Sequence, residues 1–251
     1  MRAGSRTVTL AALMVAGSLV GGCDLLGDAE NRPESAIKFP TAERPVAPAD
    51  ATRFMDEESR DKLGESTDVM DRAGVEPGMT VADIGAGDGY YTVRLATRVG
   101  AKGRVLAQDI QPKVIERLAD RVSRERLDNV SIKLGAVDDP RLPANSFDRV
   151  FLIHMYHEIG EPYAFLWRLR PALRAGGEVV VVDADRPTNQ HGTPPRLLFC
   201  ELEAVGYKLV GFIEDERFGG YFARFAPQEP RPEPEAIKPC GLSQVNVAQP
   251  T

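Results

Sequence analysis

The chain has 251 residues, 43% of them hydrophobic, and a formal charge of −6. That is enough for one well-buried domain, but not for two once the polar, proline-rich ends are set aside. An acidic body repels polyanions, and no Lys/Arg run interleaved with aromatic residues appears, so nucleic acid is excluded as a partner.

Taken in chain order, Arg2 and Arg6 form a basic start, Val8 to Val20 an uncharged apolar run, and Gly21, Gly22 and Cys23 a small-residue exit. This is the layout of an export signal over residues 1–22. The apolar run falls short of the ~20 residues that span a bilayer. Val20-Gly21-Gly22-Cys23 resembles the lipobox of bacterial lipoproteins. The resemblance implies that Cys23 becomes a lipidated amino terminus and that the protein sits in the cell envelope, on the periplasmic side of the inner or outer membrane. Residues 23–52, rich in Pro, Ala and charge without periodicity, read as a flexible linker from that anchor, and residues 227–251 as a second such tail. The domain is expected over residues 53–226. Of the remaining cysteines, Cys200 and Cys240 either pair in an oxidising compartment, pinning the tail to the helix before the last strands, or stand as free thiols. The histidines His154, His157 and His191 are too scattered in sequence to argue for zinc.

Asp56 to Val75 reads as one helical run, ending before Pro77-Gly78 and packing ahead of the first strand. Val81 to Ala96, VADIGAGDGYYTVRLA, then holds an apolar strand ending near Asp83, three alternate glycines and a helix-forming run. Gly85, Gly87 and Gly89 let the backbone turn sharply and approach a ligand. A dinucleotide turn needs G-x-G-x-x-G and therefore glycine where this chain has Tyr90, and Asp88 at the helix start repels a pyrophosphate. A ligand without phosphate fits better. GRVLAQDI forms a second buried strand ending in Asp109, where an acid commonly grips ribose hydroxyls. VSIKL forms a third, followed by a turn holding Asp138 and Asp139; Asp148 to Ile159 gives a fourth that ends near His154. Leu169 to Asp185 reads as a helix, a Gly-Gly stop and a fifth strand, and two further strands close the sheet as an antiparallel hairpin.

D-x-G-x-G-x-G after a first strand resembles the first motif of class I S-adenosylmethionine-dependent methyltransferases, and the resemblance extends over residues 53–226. It implies a Rossmann-like α/β fold: a seven-stranded sheet, mostly parallel with the last strand antiparallel, with helices on both faces. It also implies S-adenosylmethionine as cofactor and a small-molecule or protein methyl acceptor. Carried over residue by residue, the cofactor would be held by Asp83, Gly85, Ala86, Gly87 and Gly89 at the elbow, by Asp109 and Ile110 after the second strand, and by His154 after the fourth. An acid after the third strand would meet the adenine amino group, with Asp138 and Asp139 both open because the turn is longer than the family's. His157 is the expected base or acceptor-orienting group, since imidazole titrates near neutral pH, with Tyr156 beside it. The Asn/Asp-Pro-Pro-Tyr signature of amino-group DNA methyltransferases is absent after the fourth strand. Asp183 and Asp185 with Asp139 make only an incomplete version of the magnesium pattern of catechol methyltransferases, so no metal is expected. In the loop that follows, His191 and Arg196 are either acceptor contacts or ordinary surface residues. The alternative reading is a non-catalytic lipoprotein that binds an adenosyl ligand or a partner with this fold. Export favours it, because adenosylmethionine is made in the cytoplasm; the intact pocket acids favour the enzyme.

Overall fold

The computed structural model describes residue 1 and residues 32–48, 55–218 and 220–241. Cys23, expected to be lipidated, and residues 2–22 of the expected export signal lie outside the described residues. Seven strands, β1 (Thr80–Ile84), β2 (Arg104–Asp109), β3 (Val130–Leu134), β4 (Phe147–Ile153), β5 (Leu173–Asp183), β6 (Tyr207–Asp215) and β7 (Gly220–Pro227), form one sheet in the order β3-β2-β1-β4-β5-β7-β6. The pairings from β3 to β5 are parallel, and β7 runs antiparallel to both β5 and β6. This is the expected Rossmann-like sheet, and the order reverses between β1 and β4, where ligands bind in such folds.

Period-two alternation sends β5 side chains to two separate cores. Val179 and Val181 join the cluster beneath α5 (Pro162–Leu169) and α6 (Pro195–Ala204). Val180 and Val182 join the cluster beneath α2 (Glu65–Arg72) and α3 (Tyr90–Val99). A third patch sets Leu118 of α4 (Pro112–Arg124) against Ala86 and Ala107.

Four expectations need correction. The run from Asp56 is two helices, α1 (Glu57–Lys62) and α2, because Gly64 between them takes a left-handed φ of 67°. The helix expected at Leu169 lies earlier, as α5, and Gly176-Gly177 fall inside β5, where the register to β4 shifts between the Phe147–Leu173 and Arg149–Glu178 pairs and Gly176 takes a left-handed φ of 77°. Residues 32–48, expected as linker, pack onto the domain, burying Ala36, Phe39 and Ala47. Residues 227–241, expected as tail, do the same: Ile237 joins the larger core, and Cys240 is disulfide-bonded to Cys200 of α6. Short apolar anchors and long-range ion pairs hold both segments, which need no secondary-structure period. No helix among the described residues is long and apolar enough to cross a membrane.

Candidate active site

The carboxyl ends of β1, β2 and β4 open onto a cavity of about 1110 Å³. Its floor is the glycine elbow. Gly85 has φ 65°, and a Cβ there would stand 3.0 Å from the Met155 side chain, so only glycine permits this approach. Gly89 has φ 88°, and a Cβ would meet Leu118 at 2.7 Å. It therefore seats α3 against α4 and does not line the cavity. Gly85, Ala86, Gly87 and Asp88 do line it.

Asp109 lies in the cavity wall, 8% exposed. Its Oδ2 accepts from the Gly87 amide at 3.2 Å and its Oδ1 from the Gln111 amide at 3.0 Å. Two backbone donors orient the carboxylate and leave lone pairs for a diol. Beside it Gln108, 1% exposed, keeps an Nε2 with no hydrogen-bond partner and also lines the cavity. A buried unpaired donor is costly. Ile110, Ala136 and Val137 supply an apolar wall, with Ile110 and Val137 partly exposed. The oriented acid, the unpaired amide and the apolar wall suit an adenosyl group: residues 85–87 and 108–110 fit what the cofactor requires.

The opposite side carries a charged cluster that sequence reasoning missed. Glu65 of α2 accepts from Arg60 at 2.6 and 3.1 Å and from the Tyr91 hydroxyl at 2.9 Å, and lies 3.4 Å from His154 Nε2. Burial pushes the Glu65 carboxyl up, but His154 and Arg60 outweigh it and hold the group at about 2. His154 lines the cavity, turned into it by a left-handed φ of 54°. Residues 32–48 form the roof. Arg32 forks onto Glu161 at 2.6 and 2.7 Å, and Arg44, wholly buried, donates to Glu201 at 2.8 Å and to the Ile159 carbonyl at 3.1 Å. Ala42, Val46 and Ala47 add apolar surface facing Met155, Ile159 and Phe165 within the same cavity.

Of the residues expected here, Gly85, Ala86, Gly87, Asp109, Ile110 and His154 reach the cavity, whereas six do not. Asp83 is buried and accepts from the Thr92 hydroxyl at 2.6 Å; burial pushes its carboxyl up to about 6, with the Thr92 bond opposing. Asp138 is taken by Arg168 and Ser35, and Asp139 accepts from the Arg141 amide at 2.7 Å. The lengthened turn turns both acids away and leaves Ala136 and Val137 at the wall. Tyr156 points into the core, donating to Glu201 at 2.7 Å. His157 is 3% exposed and its Nδ1 lies 2.9 Å from Asp183, so its ring is turned from the cavity wall. Gly89 is the sixth. Asp183 is not open for magnesium, since His157, Thr193 and the Ala184 amide already surround it. His191 and Arg196 lie outside the cavity lining, but the histidines are not scattered in space: the His157 and His191 rings are 5.5 Å apart.

The family model of the methyltransferase domain matches residues 75–203, just over half the chain. The ubiquinone/menaquinone biosynthesis C-methyltransferase UbiE of Hahella chejuensis is 29% identical over 126 residues, covering 48% of this chain and 49% of that protein. A demethylmenaquinone methyltransferase of a Geobacillus species is 26% identical over 121 residues, covering 48% of this chain and 52% of that one. The chain thus spans about half the length of these curated relatives. Among solved structures, a SAM-dependent methyltransferase from Aquifex aeolicus superposes with TM-score 0.61 at 25% identity, over 68% of this chain and 97% of that one. The [4+2]-cyclase SpnF superposes with TM-score 0.59 at 16% identity, over 77% and 90%, which shows the fold alone. The chain belongs to the methyltransferase-domain family, whose methyl donor is S-adenosylmethionine.

Proposed function

We propose that the protein transfers a methyl group from S-adenosylmethionine to a small acceptor with an apolar body, in the cell envelope. The observation that carries this reading is a single cavity with Asp109 and the glycine elbow on one side and an apolar roof of Ala42, Val46 and Ala47 on the other. A roof laid over the site suits a molecule that enters it whole better than a side chain on a folded protein. The names of the relatives, quinone-pathway C-methyltransferases, point to the same class of acceptor.

When bound, S-adenosylmethionine supplies an electrophilic methyl on a sulfonium that departs as a neutral thioether, so no acid is needed. The chain's own part is positioning. Asp109 would hold the ribose hydroxyls, residues 85–87 would let the backbone approach, and Ile110 and Val137 would flank the base. Where the acceptor must first lose a proton, His154 is the imidazole on the cavity wall that can take it, backed by Glu65 at 3.4 Å.

Calorimetry tests the reading. The full chain binds S-adenosylmethionine or its demethylated product, and Asp109→Ala weakens binding by about 1.5 to 3 kcal/mol, the loss of hydrogen bonds to a charged acceptor. No heat with the wild type, or equal affinity in the variant, defeats it. Incubation with methyl-labelled cofactor and an envelope extract then identifies the acceptor. The envelope placement rests on the Val20–Cys23 motif and is favoured by the Cys200–Cys240 disulfide, which suits an oxidising compartment. Cys23→Ser should lose membrane association; unchanged fractionation and mobility refute lipidation.

A further inference from the structure

Beside the roof segment, the loop after β4 meets the loop after β5. His157 and Glu158 come from a short 3-10 turn on the first, and His191 ends a similar turn on the second. One ligating atom from each of the three side chains lies within 4.8 Å of the others. His157 Nε2 is 3.9 Å from Glu158 Oε1. A tetrahedral ion with bonds near 2.1 Å needs ligand atoms roughly 3.4 Å apart, so side-chain rotations of about an ångström close the set.

The surroundings are those of a metal ligand. Both Asp183 oxygens lie near His157 Nδ1, at 2.9 and 3.1 Å. Asp183 is itself fixed by the Ala184 amide at 2.9 Å and the Thr193 hydroxyl at 2.7 Å. A carboxylate so supplied with donors accepts from Nδ1–H, which leaves the Nε2 lone pair on the side of Glu158. Carboxylate–histidine pairs orient metal-binding imidazoles in this way. Hydrogen bonds to the roof segment hold both loops: the Ala47 N–H donates to the His157 carbonyl, and the Thr188 hydroxyl to the Pro45 carbonyl.

We propose that His157 Nε2, His191 and Glu158 bind a divalent transition ion of zinc type, with Asp183 as the orienting outer partner. Two imidazoles and one carboxylate match catalytic-type zinc sets, and imidazole disfavours magnesium and calcium, which take oxygen ligands. Glu158 also lines the cavity, whereas His157 and His191 do not, so the ion would lie behind the cavity wall. The site does not depend on methyl transfer, and its test does not read activity.

The experiment is equilibrium dialysis of full-length protein, purified without a histidine tag and stripped with chelator, against Zn2+, Co2+ and Mg2+. About one Zn2+ per chain should bind, Co2+ should give a ligand-field spectrum of low coordination number, and Mg2+ should not compete. His191→Asn keeps the left-handed backbone that this position needs, and Glu158→Gln keeps the shape. Each should weaken Zn2+ binding at least about tenfold, and Asp183→Asn about 10- to 100-fold. Less than about a tenth of an equivalent bound by the wild type, or wild-type affinity in either ligand variant, overturns the proposal.

Discussion

Arg44→Ala tests whether residues 32–48 are part of the fold. Arg44 and Glu201 are both fully buried, joined at 2.8 Å, and Glu201 also accepts from the Tyr156 hydroxyl at 2.7 Å. Removing the guanidinium leaves a buried carboxylate without its cation, a change that costs about 3–5 kcal/mol. The Ile159 carbonyl loses its donor as well, adding about 1 kcal/mol where water cannot replace it. The Tyr156 bond persists and offsets part, so the expected loss is about 4 kcal/mol. At about 2–4 °C per kcal/mol for a domain of this size, the melting midpoint should fall by roughly 8–16 °C. Urea unfolding followed by circular dichroism measures the loss, and Arg44→Met with Glu201→Leu should recover most of it, because an apolar pair removes the stranded charge. A loss below about 1 kcal/mol for Arg44→Ala would refute the packing of this segment.

Two further outcomes follow from buried groups. The Asp83 carboxyl is raised from 3.8 to about 6 in the fold, so its contribution is complete below pH 3.8 and is lost as pH rises through about 6. That is about 3 kcal/mol across the window, and Asp83→Asn should therefore gain on the wild type by up to that amount between pH 4 and pH 7.5 in paired urea melts; a constant difference rejects it. The Cys200–Cys240 link closes a separation of 40 residues, worth about 4 kcal/mol in the chain-entropy account. Cys240→Ser should lower the melting midpoint in non-reducing buffer and not under dithiothreitol; two reactive thiols in the unfolded protein, purified without reductant, would show that the bond is not formed.

The sheet was legible because buried parallel strands write themselves as apolar runs: Val179 to Val182 alternates between two cores, and every strand expected was found. The elbow was legible because the left-handed turns at Gly85, Gly87 and Gly89 need a residue without Cβ. Asp109 could be read from its place at a strand end. Asp83 and Asp138, placed by the same rule, were not distinguishable from it, because their partners Thr92 and Arg168 arrive from helices whose rotation a pattern does not specify. His154 and His157 lie three residues apart, and the left-handed turn at His154 together with the Asp183 partner of His157 accompanies the placement of His154, not His157, in the cavity lining. Residues 32–48 escaped notice because their anchors, Glu161 and Glu201, lie 129 and 157 positions away from the arginines that reach them.

Those long-range anchors explain why the fold extends beyond the matched family region. Adjacent residues of α6 hold both terminal segments: Cys200 binds the carboxyl-terminal one through Cys240, and Glu201 binds the amino-terminal one through Arg44. The same core cluster contains Leu198 and Leu202 of α6, Ala36 and Phe39 from one segment, and Ile237 from the other. The apolar contacts supply the burial, while the ion pair and the disulfide fix which surfaces meet. Tyr163 ties the arrangement to α5, its hydroxyl accepting from the Cys240 amide at 2.7 Å. The roof of the cavity is therefore fastened to α6 through Arg44 and Glu201, to the start of α5 through Arg32 and Glu161, and to the loop after β4 through the Ile159 and His157 carbonyls, all contacts within the chain. On the function proposed above, a roof held in this way would be shaped before an acceptor arrives, and Ala42, Val46 and Ala47 would bear on selectivity as placed.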